Sequence, residues 1–450
     1  MRQLFETDGI RGLANKHPMT PEMAMRLGQA LAVHFGKEQQ APRMIIGKDP
    51  RRSSYIFEFA VASGACSMGA SAFLLGPLPS PAVAALTVSM RASAGIMISA
   101  SHNPYHDNGI KLFGADGFKL PDGVEEEIEE IMADEQRLSQ RPMGEAIGRA
   151  YRIEDASGRY IGFAKETFPH HQTLRGIKII VDCANGAAYR VAPAIFEELG
   201  ASVVKIGCYP DGVNINEGCG ALHPEGLAEV VKREKAHLGV ALDGDADRLI
   251  MVDEKGQVVD GDAIMAVVGR SLIESGSLNH NTVVATIMSN MGLELEMERA
   301  GGRVVRAPVG DRYVIELMRS GGYNFGGEQS GHLILLDQTT TGDGIVAALQ
   351  VLSVMVEKGR ALSELVGRME RFPQESVKLT VPRKVPIVEL PELQRAVDAA
   401  EQRLGREGRT VVRYSGTEPV LRIMVEARDS ALAKQLVQDI ETTARALLIG

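Results

Sequence analysis

The sequence of 450 residues has no tryptophan, only four cysteines and no excess of positive charge. Cys66, Cys183, Cys208 and Cys219 form neither a CxxC pair nor a histidine-paired spacing. This pattern argues against a disulfide framework or a zinc ribbon, and it favours a reducing compartment. Lysine and arginine number 49 against 58 aspartate and glutamate, a net charge of −9, which argues against a nucleic-acid or membrane partner.

Long apolar segments are also missing. The longest, Ile345 to Val356, is interrupted by Gln350 and Ser353 and is shorter than the ~18 residues that a membrane span needs. The segment from Met1 to Gly12 carries acidic residues and lacks the apolar core of a signal peptide. We therefore predict a soluble, cytoplasmic, multidomain protein.

Short apolar runs alternate with helical patterns along most of the chain. The predicted strands are Arg43–Gly47, Ser71–Leu75, Ala94–Ile98, Ile177–Val181, Val203–Ile206, Gly239–Leu242, Val283–Ile287, Val304–Arg306, Val377–Val381 and Leu421–Val425. The predicted helices are Ser53–Met68, with Ser53 or Ser54 as N-cap, one capped by Ser80, Ala187–Leu199, Gly226–Ala236, Asp262–Glu274, Leu293–Ala300, Arg312–Arg319 and Pro391–Leu404. Such alternation indicates parallel or mixed sheets covered by helices.

The predicted fold class is therefore α/β. Three related mixed-sheet α/β domains are expected at residues 1–150, 151–255 and 256–370. The pattern changes after Phe372-Pro373, which predicts a smaller C-terminal α+β domain at 371–450.

A polar loop, Ser99 to Pro104 (S-A-S-H-N-P), follows the predicted strand Ala94–Ile98. Ligands of open α/β sheets bind beyond the carboxyl ends of the strands; the alternative is an ordinary polar turn. The G-x-S-x-G nucleophile elbow is absent, which argues against acyl transfer by Ser101. Lys111 lies on the first strand of a hairpin predicted around Asp116-Gly117, either near this loop or merely exposed.

Three aspartates, Asp243, Asp245 and Asp247, occupy alternate positions of a turn between two predicted strands. Like charges packed so closely are expected around a cation, and all-oxygen ligation favours Mg²⁺ or Ca²⁺ over zinc. An EF-hand is rejected, because Arg248 stands where that loop needs glycine and both flanks are predicted strands. A metal-free acidic turn is the alternative.

A glycine-framed segment, Gly326 to His332 (G-G-E-Q-S-G-H), carries a carboxylate, an amide, a hydroxyl and an imidazole. Such a set suits the hydroxyl groups of a sugar, with His332 available for proton transfer. The alternative is a polar hairpin loop. Arg11 lies in another glycine-framed turn, T-D-G-I-R-G.

Two arginines and two hydroxyls mark the segment Arg413 to Pro419 (R-Y-S-G-T-E-P), with Arg422 beyond it. Paired guanidinium groups and a glycine-containing turn predict a cradle for an anion, because arginine offers bidentate geometry to phosphate. The alternative places Arg422 on the outward face of the last strand.

Taken together and in this order, T-D-G-I-R-G, S-A-S-H-N-P, D-G-D-A-D-R, G-E-Q-S-G-H and R-Y-S-G-T-E-P resemble the α-D-phosphohexomutase superfamily over essentially the whole chain. Gln329, Asn214-Ile215-Asn216 before Cys219-Gly220, and Val309 to Arg312 make the sequence most similar to the bacterial phosphoglucosamine mutases. The usual metal loop often reads D-G-D-G-D-R; Ala246 changes its fourth position and leaves side-chain ligation possible.

The resemblance implies four domains around a central cleft and a phosphoserine at Ser101. It implies interconversion of glucosamine 6-phosphate and glucosamine 1-phosphate through glucosamine 1,6-bisphosphate, as intermediate and activator, for UDP-N-acetylglucosamine and cell-wall synthesis. One Mg²⁺ would be held by Asp243, Asp245, Asp247 and a phosphoserine oxygen. The other implied roles are general base for Lys111, contacts to the reacting phosphate for His102, His332, Arg11 and Arg248, sugar binding for Glu328 and Ser330, and binding of the non-reacting phosphate for Arg413, Ser415, Gly416, Thr417 and Arg422.

Three other functions remain open at this point. A phosphomannomutase/phosphoglucomutase of the same superfamily would share the chemistry and differ in the sugar. A non-catalytic sugar-phosphate sensor would not need the serine, the aspartates and the lysine together, and a calcium-stabilised structural protein would need only the acidic turn. The partner is expected to be a small sugar phosphate, with the chain acting as a monomer or homodimer.

Overall fold

A computed structural model describes residues 4–6, 9–37, 41–415 and 419–449. Within these ranges the strands form four sheets that follow one another along the chain. The strands are β1 (Phe5–Glu6), β2 (Gly9–Leu13), β3 (Arg43–Lys48), β4 (Ser71–Pro77), β5 (Ala94–Ile98), β6 (Asp107–Gly114), β7 (Ala150–Arg152), β8 (Lys178–Asp182), β9 (Ser202–Ile206), β10 (Leu238–Leu242), β11 (Leu249–Asp253), β12 (Val258–Val259), β13 (Thr282–Thr286), β14 (Arg303–Ala307), β15 (Phe325–Gly327), β16 (Leu333–Leu335), β17 (Gln374–Thr380), β18 (Gly408–Tyr414) and β19 (Val420–Ala427).

Helices separate most of these strands. They are α1 (Pro21–Gly36), α2 (Arg52–Ser67), α3 (Ser80–Ser89), α4 (Asp122–Ala133), α5 (Glu135–Ser139), α6 (Ala156–Glu166), α7 (Val191–Glu198), α8 (Glu225–Glu234), α9 (Gly261–Glu274), α10 (Met291–Arg299), α11 (Asp311–Gly321), α12 (Gly344–Lys358), α13 (Leu362–Val366), α14 (Pro391–Leu404) and α15 (Ser430–Leu448). Among the helices of the described ranges, none is long and apolar enough to cross a membrane.

The first sheet unit has the strand order β1-β2-β6-β5-β3-β4-β7 and is mixed. Its central strand β3 runs parallel to β4 and β5, and β6 runs antiparallel to β5. Alternate residues of β3 face opposite ways: Met44 and Ile46 belong to the core shared with α1 and α2, and Ile45 to the core on the α3 side. A strand buried on both faces explains the uninterrupted apolar run in the sequence.

The second and third sheet units, with orders β12-β11-β10-β8-β9 and β14-β13-β15-β16, repeat one arrangement of the first. In each, a buried strand is followed by an antiparallel neighbour: β5 by β6, β10 by β11, and β15 by β16. The connection between the two strands carries one of the polar motifs. The chain therefore presents the serine loop, the acidic turn and the histidine loop in equivalent places.

The C-terminal unit is smaller, and its sheet β17-β19-β18 is wholly antiparallel. Its helices α14 and α15 cover that sheet through a separate hydrophobic core. One continuous core, in contrast, runs through the first three units. These features confirm the predicted class of three mixed α/β units and a smaller α+β unit around a cleft.

Two local predictions, both of helix caps, are wrong. Helix α2 begins at Arg52 without a side-chain cap; the Ser54 hydroxyl instead donates to Asp49 at 2.7 Å. Ser80 lies inside the first turn of α3, where its hydroxyl donates to Asp245 and its oxygen accepts no helix N–H. In both cases a buried carboxylate competes for the hydroxyl. The hairpin predicted at Asp116-Gly117 is present but short, because its return segment pairs with β6 through a single antiparallel bridge, Phe113 to Lys119.

Candidate active site

Ser101 lies in the connection from β5 to β6, at the carboxyl end of a buried strand. Its φ is +51°, in the left-handed region, and its side chain is almost fully buried. The Oγ donates a hydrogen bond to Oδ2 of Asp243 at 2.6 Å, and it lies 3.3 Å from Nδ1 of His102. The serine of the first unit thus contacts the acidic turn of the second.

The three aspartates of that turn converge. Asp243, Asp245 and Asp247 are buried, and one oxygen from each lies within 4.8 Å of the others. Burial and the charges of Asp247 and Asp245 raise the pKa of Asp243 to about 8. Oδ1 of Asp245 is buried and accepts no hydrogen bond from the described residues. A buried all-carboxylate cluster with an unused oxygen fits a hard divalent cation.

Lys111 is buried and not an exposed strand lysine. It lies on β6 opposite Met97 of β5, and its Nζ donates to Asp245 at 2.8 Å and to Asp247 at 3.1 Å. The charges of Lys111 and His332 outweigh the effect of burial and hold the pKa of Asp247 well below its usual range. The lysine therefore neutralises part of the acidic cluster from the side of the first unit.

A cavity of about 290 Å³ opens beside these groups, and within the described ranges its walls come from the first three units. Its lining residues are Arg11, Ser101, His102, Asp247, Arg248, Val309, Gly310, Asp311, Glu328 and His332. Burial, with the positive charges of Arg248 and Arg11, lowers the pKa of His102 to about 4. The imidazole of His102 is therefore neutral near pH 7, beside two arginines that can bind an anion.

The histidine loop joins β15 to β16 in the third unit. Nδ1 of His332 lies 3.7 Å from Asp247, and its Nε2 lies 3.5 Å from Asp311. Burial opposes protonation of His332, but the two carboxylates outweigh it and raise its pKa. Oε1 of Glu328 accepts the N–H of Gly310 at 3.0 Å. Glu328 and His332 line the cavity, whereas the exposed Ser330 does not contribute to its described lining.

The predicted anion cradle lies on the C-terminal sheet. Arg413 of β18 pairs directly with Arg422 of β19, so the two side chains share a face; burial and the charge of Arg422 lower the pKa of Arg413. Ser415 is buried, and its N–H bonds to the carbonyl of Val420. The predicted Gly416 and Thr417 lie outside the described residues.

Three further residues, to which the motifs gave no role, contact site residues. Asp311, the first residue of α11, contacts His332 and also binds Lys119 at 2.5 Å. Lys384 donates to the carbonyl of Ser415 at 2.7 Å, beside the paired arginines. The only sequence signal was the position of Asp311 within the V-G-D-R segment; Lys119 and Lys384 had none, because an isolated lysine does not indicate its partner.

Family models match the chain along its length. Those described as phosphoglucomutase/phosphomannomutase alpha/beta/alpha domains I, II and III match residues 2–139, 159–256 and 260–372, and the C-terminal domain model matches residues 377–443.

Three curated relatives share one name. The chain is 56% identical over 440 residues to a phosphoglucosamine mutase of Syntrophotalea carbinolica, covering 98% of this chain and 96% of the relative. It is 54% identical over 450 residues to one of Citrifermentans bemidjiense, covering 100% and 99%. One of Sorangium cellulosum is 57% identical over 434 residues, covering 96% and 90%.

Solved structures share the fold. A phosphoglucomutase/phosphomannomutase family protein of Burkholderia thailandensis superposes with a TM-score of 0.81 at 21% identity, covering 98% of this chain and 97% of its own. An N-acetylphosphoglucosamine mutase of Aspergillus fumigatus, solved with GlcNAc-6P and magnesium, gives 0.71 at 18% identity, covering 99% and 96%.

Proposed function

The chain belongs to the phosphoglucomutase/phosphomannomutase family, and from that premise we propose that it interconverts glucosamine 6-phosphate and glucosamine 1-phosphate. The relatives that are more than half identical over nearly the whole chain are named for this activity. The amino sugar is therefore favoured over glucose and mannose. The enzyme is an isomerase that moves a phosphoryl group between two hydroxyls of one sugar.

The observation that carries the mechanism is the 2.6 Å contact between Ser101 Oγ and Asp243. We assign Ser101 as the residue that carries the phosphoryl group. The phosphoserine gives this group to the free hydroxyl of the substrate, so the Ser101 Oγ–P bond breaks as the sugar O–P bond forms. The sugar 1,6-bisphosphate then returns its other phosphoryl group to the serine, and the isomer leaves.

The acidic cluster is assigned to Mg²⁺, held by Asp243, Asp245 and Asp247. When bound, the ion offsets negative charge on the transferring group and on the serine oxygen that leaves. The fit rests on the buried oxygen donors and on the unused Oδ1 of Asp245.

Proton transfer to and from the sugar hydroxyl is assigned to Lys111. Its Nζ contacts Asp245 and Asp247, which place the amine beside the acidic cluster and the cavity. Neutral His102 and the guanidinium groups of Arg11 and Arg248 orient the phosphate undergoing transfer, since phosphoryl transfer depends on positioning and charge stabilisation.

Binding of the rest of the substrate is assigned to the third unit and the C-terminal unit. Glu328, His332 and Ser330 would bind sugar hydroxyls. Arg413 and Arg422, with Ser415, Gly416 and Thr417, would hold the phosphate that is not reacting. The domain limits 1–150, 151–255, 256–370 and 371–450 stay a prediction, with β7 at 150–152 belonging to the first sheet.

Steady-state kinetics on glucosamine 6-phosphate, glucose phosphates and mannose phosphates test the substrate. We expect the highest kcat/KM on the amino sugar; equal or higher values on the neutral sugars would identify a phosphomannomutase/phosphoglucomutase instead.

Ser101→Ala should lose turnover by at least about 1,000-fold, because no phosphoryl carrier remains, with an unchanged circular dichroism spectrum. Near-normal turnover of this variant would refute the phosphoserine mechanism.

A further inference from the structure

The backbone at Ser101 needs support from its surroundings. A φ of +51° is a conformation that residues with side chains rarely adopt, and it persists only where neighbouring groups fix it. The turn is closed by a hydrogen bond of 3.0 Å from Asn103 N–H to the carbonyl of Ala100. The carbonyls of Ser101 and Asn103 are left to bond elsewhere, and two side chains supply the donors.

Arg51 provides the first set of donors from within the first unit. Its side chain is fully buried. Its Nη2 donates to the carbonyl of Ser101 at 3.1 Å and to that of Asn103 at 2.5 Å. Its Nη1 donates to Asp49 and reaches Oγ of Ser99 at 3.4 Å, and that oxygen accepts the N–H of Ser101 at 2.9 Å.

Asn216 provides the second set from the second unit. It is 8% exposed, and its Nδ2 donates to the same two carbonyls, Ser101 at 2.9 Å and Asn103 at 3.1 Å. Its own φ is +59°, and its N–H bonds to Ala184 at 2.9 Å. Each carbonyl of the serine loop thus accepts one donor from each unit.

The acidic turn packs against this same junction. A Cβ on Gly244 would lie 2.4 Å from the Ser101 carbonyl oxygen and 3.0 Å from Nδ2 of Asn216. Only glycine allows this approach. The turn that carries the metal-binding aspartates therefore contacts the backbone that orients the serine.

We propose that Arg51 and Asn216 are positioning residues for phosphoryl transfer, which hold the carbonyls of Ser101 and Asn103 so that Ser101 Oγ faces Asp243. This inference rests on the proposed function. Neither side chain lines the cavity within the described ranges, so we place their action on the serine loop and not on the substrate. Because Asn216 belongs to the second unit, the orientation of the Ser101 side chain depends on how the first two units pack together.

Two substitutions of Asn216 separate positioning from packing. Asn216→Gly removes the donors and still tolerates the positive φ. Asn216→Asp keeps the shape but sets a carboxylate against two carbonyl oxygens. We expect kcat to fall about 10–100-fold in Asn216→Gly and further in Asn216→Asp, with KM within about threefold of wild type, since a displacement near 1 Å costs rate rather than binding. If Asn216 only fills space, kcat should instead fall further in Asn216→Gly than in Asn216→Asp, because the aspartate keeps the shape of the side chain.

Asn281→Gly is the matched control. Asn281 also has a positive φ, +48°, but it is exposed in the third unit, and its substitution should leave kcat unchanged. Arg51→Lys should lower kcat by a similar factor, because one ammonium cannot replace the forked donors. Transfer from ³²P-labelled enzyme in a single turnover gives the rate of the chemical step directly.

Equal single-turnover rates for Asn216→Gly, Asn216→Asp and Asn281→Gly would overturn the positioning role while leaving the mutase assignment intact. Absence of hexose-phosphate turnover in the wild-type enzyme would remove the proposed function, and the positioning role with it. A slow Asn216→Asp with a thermal midpoint matching Asn281→Gly supports the proposal.

Discussion

A single buried carboxylate, that of Asp343, is expected to make the stability of the fold depend on pH. Asp343 is fully buried, and burial raises its pKa to about 6. Its Oδ1 caps α12 by accepting the N–H groups of Ile345 and Val346, both at 3.0 Å. Its Oδ2 accepts the hydroxyl of Tyr160 at 2.8 Å. The folded chain therefore holds this proton to a higher pH than the unfolded chain does.

Asp343→Asn should remove that pH dependence. Between the ordinary aspartate pKa of about 4 and the folded value of about 6, only the unfolded state of the wild type has lost the proton, so wild-type stability falls as the pH rises. The asparagine can still cap α12. Its free energy of unfolding relative to wild type should therefore rise by roughly 3 kcal/mol at most between pH 4 and pH 7.5, and the thermal midpoint measured at each pH should rise with it.

Asp429→Asn is the matched control for that experiment. Asp429 caps α15 through Ala431 at 2.9 Å but is exposed. Its thermal midpoint should follow the wild-type pH curve. A constant offset of Asp343→Asn across the pH range would contradict the assigned titration.

At the residue scale, the sequence predicted site residues where several polar types were concentrated in a short motif. Ser101, His102, Asp247, Arg248 and His332 all line or adjoin the cavity. Asn216 and Asp311 could not be given roles in this way, because their partners lie 115 and 21 positions away in the sequence. The roles assigned to the individual residues stay predictions.

At the scale of elements, the start of α9 supports the histidine loop. Gly261 donates its N–H to the carbonyl of Gln329 at 3.0 Å. A Cβ at Gly261 would lie 2.1 Å from the carbonyl oxygen of Glu328. The helix can approach the loop this closely only because residue 261 lacks a side chain.

Gly261→Ala should push the loop away from α9 and raise KM for the sugar phosphate by about tenfold or more, because a weakened hydrogen bond to a charged group costs about 1.5 kcal/mol of binding. Gly162→Ala, in α6, is the control, because nothing lies within 4 Å of its added Cβ. That variant should keep the wild-type KM and gain about 0.5–1 kcal/mol of stability from the better helix former. Identical KM values for the two variants would show that the contact has no role in binding.

Element bounds were predictable where local signals agreed and failed where distant contacts intervened. Ala94–Ile98 and Pro391–Leu404 have the predicted ends. The helix predicted from Ala187 begins only at Val191, because the Ala187 N–H donates to the carbonyl of Gly244 at 2.8 Å. Helix α15 was not predicted from the sequence pattern, although its amphipathic face completes the C-terminal core.

At the scale of the whole molecule, the acidic cluster stands where the first two units meet, through Ser80, Ser101 and Lys111. A divalent ion should therefore stabilise the assembled units as well as support turnover. Chelation with EDTA should abolish activity and lower the thermal midpoint, because buried carboxylates repel one another without a cation.

Re-addition of Mg²⁺ to the chelated protein should restore both properties. The measurements are differential scanning fluorimetry and turnover on the same sample. Full stabilisation by Ca²⁺ with no Mg²⁺-dependent turnover would instead favour a calcium-stabilised structural protein. Unchanged activity in EDTA would contradict the metal assignment.

The α/β class and the order of the units were predictable from the alternation of strands and helices, since this alternation is local. That three units would line one cavity was predicted only from the resemblance to a family. Local patterns do not specify how sheets pack together. That packing is set by the continuous hydrophobic core of the first three units.

That shared cavity has a consequence for how such a chain can diverge. Its walls belong to three successive units, each built on its own sheet. Recombination that exchanges a single unit with that of a distant homologue therefore brings together cavity residues that evolved beside different neighbours. A chimera that inherits all three sheets together keeps those neighbours, and the C-terminal unit, with its independent core, is the segment that such shuffling can replace most freely.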